Sequence, residues 1–160
     1  MSTGVVIALV AVVLALGFGL YRARTDGRFR AAPAVEHGDT SGTTVGRAPE
    51  ASDPGPRAWD DVLAALPDAE LGERATLLQF SSAFCAPCRA TRQVLSEVAS
   101  VVPGVVHLEV DAEHHLDLVR RLDVLRTPTT LVLDAGGREA TRAAGAPRKE
   151  TVLATLDGIV

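Results

Sequence analysis

Sulfur is scarce in this chain: 160 residues hold two cysteines and one methionine. Two cysteines cannot build the multi-bridge framework of a small secreted domain, and they supply at most half of a four-thiolate zinc site. Large rings are few as well, at 4% aromatic, but the 47% apolar share still suits a compact fold. Excess positive charge is missing: the formal net charge is −4. That removes the basic patch and high pI of a nucleic-acid binder, so no nucleic-acid partner is expected. No flavin or nicotinamide fingerprint occurs, so no cofactor is expected either. No internal repeat is visible, and the length allows one ordinary domain plus something else.

The something else is at the N-terminus. Residues Gly4 to Tyr21 (GVVIALVAVVLALGFGLY) carry no charge. As a helix they would span roughly 27 Å, near the lower limit for crossing a bilayer core. No Lys or Arg precedes the run, and arginine follows it in place of a small-x-small cleavage site, which argues against a signal peptide. The reading is a single-pass membrane anchor over 1–21, with Tyr21 at the interface. Arg22, Arg24, Arg28 and Arg30 follow, opposed only by Asp26. The positive-inside rule then keeps the arginine side, and everything after it, in the cytoplasm. Residues 22–57 are rich in Gly, Pro, Ser, Thr and Ala with no period, and are expected to form a flexible tether. As a coil its ends would lie roughly 30–36 Å apart. His37 within it has no expected role.

The folded domain is expected over 58–160. Trp59, Val62, Leu63 and Leu66 recur at helical spacing until Pro67 ends the run. Ala75 to Ser81 (ATLLQFS) is a short apolar stretch between polar turns, a buried strand. Val94, Leu95, Val98 and Val101 mark a helix ending at Pro103-Gly104, and Val105 to Val110 (VVHLEV) a second buried strand before Asp111. A short helix is expected over His114 to Leu122 and a strand over Thr129 to Leu133. Arg138 to Ala144 would return as its hairpin partner, Gly145 breaks the chain, and Lys149 to Leu156 forms a closing helix. The order is α-β-α-β-α-β-β-α, an α/β domain in which strand–helix–strand units suggest parallel pairs and the end an antiparallel hairpin.

Both cysteines lie in Phe84-Cys85-Ala86-Pro87-Cys88-Arg89. Cys85 follows a predicted strand, and Ala86-Pro87 opens a helix, Pro being suited to a first turn. The Cys85 sulfur would then face unpaired helix N–H groups and the positive end of the dipole, which favours thiolate. Cys88, three residues on, could attack a mixed disulfide formed at Cys85, making Cys85 the nucleophile and Cys88 the resolving thiol. Two other uses of the pair remain. A zinc or metallochaperone site would need ligands such as His114 and His115, which point different ways on a helix and read more simply as exposed polar residues. A structural disulfide would close too tight a ring to restrain much chain. Redox exchange fits best, and no metal is expected.

The strand followed by F-C-A-P-C-R resembles the thioredoxin family's W-C-G-P-C-K signature. About forty residues later, Thr127-Pro128-Thr129 resembles that family's cis-proline motif, again just before a strand. Asp111 stands where the family usually has an Asp at the end of the intervening strand, and Gly145 matches a family glycine near the active-site surface. The resemblance implies a thioredoxin-like fold, a mixed four- or five-stranded sheet flanked by helices. It implies that Pro128 is cis, that the backbone of Thr127 pairs with a substrate chain, and that Phe84, Ala86, Pro87 and Gly145 border that substrate. It also implies protein disulfides as substrates and a monomer; with no flavin or nicotinamide fingerprint, electrons are expected from a separate protein.

The departures bear on tuning. Phe84 replaces the family's tryptophan and Ala86 its glycine. Gln79 stands six residues before Cys85, where thioredoxins commonly carry a buried Asp that helps deprotonate the resolving cysteine; glutamine cannot accept a proton at neutral pH. His107 falls where the family often has a Lys. It reads either as a core histidine with satisfied hydrogen bonds or as a group titrating near neutrality that takes over part of the proton handling. A full thioredoxin's first strand is not evident before Trp59, and residues 43–48 (TTVGRA) are a weak candidate for a fifth strand. The expected function is a membrane-tethered thiol–disulfide oxidoreductase. A domain of the same chemistry on the exported side, serving cytochrome c maturation or extracellular disulfide exchange, is the alternative.

Overall fold

The computed structural model describes residues 3–25, 27–31 and 57–159. Helix α1 (Thr3–Thr25) is followed by a three-residue strand β1 (Phe29–Ala31), and the domain then runs α2 (Ala58–Ala65), β2 (Ala75–Ser81), α3 (Ala86–Val101), β3 (Val105–Asp111), α4 (Leu116–Arg121), β4 (Thr129–Asp134), β5 (Glu139–Ala144) and α5 (Lys149–Asp157). The strands form one sheet in the order β1-β5-β4-β2-β3. β2 lies near its middle and is buried along its whole length, which explains its unbroken apolar character.

Alternation along the strands divides the apolar side chains between two layers. Leu77, Ala75, Val105 and Val132 pack with Leu95 and Val98 of α3 and with Val152 and Leu156 of α5. Leu78, Phe80, Val110, Leu131 and Leu133 face the other way, against Trp59 and Val62 of α2 and Leu118 of α4. Surface ion pairs such as Arg121–Asp61 contribute about 0–1 kcal/mol each, whereas a fully buried Leu or Phe contributes about 1.5–3 kcal/mol. The two apolar layers therefore hold the fold.

Two sequence expectations need correction. β2–α3–β3 is a parallel unit as expected, but β3–α4–β4 is not: β4 runs antiparallel to β2, on the side away from β3. α4 has six residues, a rise of roughly 9 Å, too little to carry the chain back along a seven-residue strand. The chain therefore re-enters the sheet at the end it left. The second correction concerns 22–57, which is not one tether. α1 continues to Thr25 and β1 lies inside that stretch, supplying the fifth strand at the sheet edge. Residues 43–48 lie outside the described residues.

β1 pairs antiparallel with β5, Phe29 opposite Ala143 and Ala31 opposite Thr141. The Thr141 hydroxyl donates to the Arg30 carbonyl at 2.6 Å, and Phe29 packs on the α3/α5 layer. The turn into β1 needs a glycine. Gly27 has φ +75°, its N–H donates to the Ala144 carbonyl at 2.9 Å, and a Cβ there would meet the Ala146 oxygen at 2.3 Å. Gly27→Ala should therefore cost about 1–3 kcal/mol and speed amide exchange along β1. Unchanged exchange at Phe29–Ala31 would show that β1 does not depend on this turn.

Candidate active site

β2 delivers the chain to one end of the sheet, and four residues separate Ser81 from the start of α3 at Ala86. Cys85 is the N-cap of α3, in extended conformation, and Pro87 occupies the first turn, where no intrahelical N–H bond is lost. The Cys88 N–H points at the Cys85 sulfur across 3.1 Å. The two sulfurs are bonded at 1.99 Å, with Cα atoms 5.2 Å apart, so this is the oxidised form. Cys88 is 1% exposed, while Cys85 is half-buried among exposed Phe84, Ala86 and Pro87. After reduction, the sulfur at the helix N-terminus is the accessible one, and the local N–H groups favour it as thiolate.

A second loop meets the first. The Thr127–Pro128 bond is cis, as the family resemblance implies. The Thr127 and Ser82 hydroxyls lie 3.1 Å apart, which ties the proline loop to the segment leading into Cys85. Gly145, at φ +98°, donates its N–H to the Pro128 carbonyl at 2.8 Å. Arg126 donates to the Ala144 carbonyl at 2.9 Å. Thr127, Pro128 and Gly145 thus belong to the same end of the sheet as the cysteines. Ser82 was not among the residues singled out from sequence, since a lone serine after a strand carries no signal.

Behind Cys88 lies a directed hydrogen-bond chain. The buried Gln79 amide donates to the Cys88 carbonyl at 3.0 Å and to the Ser81 hydroxyl at 2.7 Å. Its oxygen is left to accept from His107 Nε2 at 3.1 Å, and His107 Nδ1 accepts in turn from Ser96 at 2.9 Å. The Gln79 oxygen can only accept, which favours a proton on Nε2, and the neutral ring with Nδ1 accepting from Ser96 satisfies both nitrogens. Burial pushes it below its ordinary value, Glu109 opposes that, and Arg92 reinforces it. This lowering favours the reading of His107 as a half-buried histidine with satisfied hydrogen bonds, and Gln79 stands between it and Cys88.

The cleft beside Cys88 is lined by Ser81, Ser82, Arg89, Arg92, Glu109 and Asp111, among others. Glu109 pairs in register with Gln79 across β2 and β3 and is bound by the Arg92 guanidinium. Burial raises its pKa, but the bonds from Arg92 and Ser81, with the charge of Arg92, outweigh that and leave it below the ordinary value. The period of two through His107, Glu109 and Asp111 was the available signal for this polar stripe. His114 binds Asp111 at 2.8 Å. Among the described residues, no group of three or more His, Cys, Asp or Glu side chains is placed to hold a metal ion.

The thioredoxin family model matches residues 59–158. The chain belongs to the thioredoxin family. Among relatives, a thioredoxin H-type of Oryza sativa subsp. indica is 30% identical over 97 residues, covering 61% of this chain and 78% of that one. Thioredoxin H5 of Oryza sativa subsp. japonica is 31% identical over 100 residues, covering 62% and 68%. The Fasciola hepatica thioredoxin structure superimposes with a TM-score of 0.51 at 20% identity, over 64% of this chain and 91% of that one, a likeness of fold. Membership and the Cys85–Cys88 pair make this thioredoxin domain a thiol–disulfide oxidoreductase.

The lowered His107 pKa gives the thioredoxin domain a specific acid sensitivity. Unfolded His107 takes up a proton near its ordinary 6.5, while folded His107 does so only at lower pH. Between those values the unfolded chain binds more protons, so stability falls as pH falls through that window. Glu109, below its ordinary 4.5, acts with the same sign further into the acid range. His107→Gln should flatten the stability–pH curve just below pH 6.5 in urea unfolding. A curve of unchanged slope there would remove His107 as the cause.

Proposed function

We propose that the chain is a membrane-tethered thioredoxin that reduces disulfides of protein substrates. The carrying observation is the asymmetry of the pair, with Cys85 accessible at the α3 N-terminus and Cys88 buried behind it. The Cys85 thiolate attacks one sulfur of a substrate disulfide, and the other substrate sulfur leaves as thiolate. The Cys88 thiolate then attacks the Cys85 sulfur, releasing the second substrate thiol and closing the Cys85–Cys88 disulfide. Two electrons pass from the domain to the substrate, and a separate protein returns them.

The substrate segment would lie along the Thr127 backbone, where an extended chain adds to the proline loop. Phe84, Ala86, Pro87, Pro128 and Gly145 would form the surrounding surface. Gln79 cannot accept a proton, so its part is to fix the Cys88 backbone, with His107 orienting the amide. Gly4–Tyr21 is long and apolar enough to cross a bilayer, which supports anchoring. The arginines that follow favour a cytoplasmic domain by the positive-inside rule.

Two variants test the chemistry. Cys85→Ser should reduce insulin no faster than the uncatalysed rate, while Cys88→Ser should accumulate a mixed disulfide at Cys85 that non-reducing gels resolve. Substantial turnover by Cys85→Ser would overturn the assignment. For topology, a C-terminal reporter active only in the cytoplasm should be active; activity of one that works only after export would place the domain outside.

A further inference from the structure

The route from membrane helix to sheet constrains where this dithiol can work. α1 ends at Thr25, and Gly27 is already bonded to the sheet through the Ala144 carbonyl. One residue, Asp26, separates them, so their Cα atoms lie at most about 7 Å apart. The apolar span ends at Tyr21, and the four helical residues after it add only about 6 Å. The interfacial layer of one leaflet is itself roughly 5–7 Å thick. The sheet therefore begins at or just above the level of the headgroups.

It begins there with its active-site end. β1 enters opposite Ala143, β5 finishes at Ala144 opposite Thr129, and Gly145 donates to the carbonyl of Pro128. β2 also finishes at this end, at Ser81, before Cys85. From β1 to β2 there are three strand spacings, roughly 14 Å. The opposite end, with the Asp134–Gly137 turn, is roughly 20 Å further from the joint. The two most exposed large apolar side chains of the domain, Phe84 at 100% and Leu125 at 87%, also lie in the cysteine and proline loops, which suits a site bordering an apolar phase.

We infer that the dithiol is held facing the bilayer surface and exchanges with cysteine pairs that membrane-embedded proteins carry within roughly 20–27 Å of the hydrocarbon edge. The inference rests on the anchoring reading and adds to it the level at which partners must present their sulfur. A joint of one residue confers a high effective concentration for such partners and little reach beyond them.

The test uses the full reduced chain in phosphatidylcholine vesicles with single-span peptides bearing a disulfide loop. In one peptide the loop directly follows the span; in the other a helical spacer of about 30 residues lifts it by roughly 45 Å. The near loop should be reduced at least ~10-fold faster. Inserting about 20 Gly/Ser residues between Asp26 and Gly27, a coil of roughly 25 Å, should bring that ratio towards one and leave reduction of soluble insulin unchanged. Equal rates with the native chain, or a ratio indifferent to the insertion, would overturn the inference. Flotation with the vesicles separates the two readings. A chain that does not float removes anchoring and this inference together, whereas a floating chain with a ratio near one removes only the facing of the site.

Discussion

The N–H of Cys88 meets the Cys85 sulfur at 3.1 Å because a central strand ends and a helix begins within four residues. That contact requires β2 to be held on both sides, by β3 and β4, and α3 to be fixed by Leu95 and Val98 in the apolar layer beneath it. Any slip of β2 by one residue would exchange its two faces and carry the cysteine loop with it. The burial of β2 from end to end prevents that slip, and the chemistry of a dithiol at a helix N-terminus follows from it.

The same end of the sheet collects three further segments. The cis-proline loop is tied to the cysteine loop through Ser82 and Thr127, Gly145 is bonded to Pro128, and the turn at Gly27 is bonded to Ala144. The fold thus gathers the cysteine pair, the cis-proline loop and the joint to an apolar helix in one layer. Behind them, a neutral amide occupies the place where thioredoxins commonly have a carboxylate. Gln79 holds the Cys88 carbonyl and cannot take its thiol proton. The carboxylates lining the cleft beside Cys88 are Glu109 and Asp111, and Arg92 keeps Glu109 charged.

Much of this was legible in the residues. Helical spacing and turn signals placed the elements from α2 to α5 in the right order, because each buries a periodic apolar face. The C-x-x-C motif marked the redox pair because it carries its mechanism in a few adjacent side chains, whereas Thr-Pro-Thr marked the neighbouring loop only through the family resemblance. β1 was not legible: Phe29-Arg30-Ala31 is too short for a period, and it is defined by its pairing with β5. The direction of β4 was hidden for a related reason, since α4 resembles a crossover helix in pattern but not in length. Tertiary hydrogen bonds such as Ser82–Thr127 and Gln79–His107 leave no trace in local sequence.

The central claim is that one end of α3 makes two neighbouring sulfurs unequal. The most direct measurement is the alkylation rate of each cysteine in the reduced full chain at neutral pH, read by iodoacetamide labelling and peptide mass spectrometry. Cys85 should react at least ~10-fold faster than Cys88, because it combines thiolate character with access. Equal rates, or faster labelling of Cys88, would contradict the account.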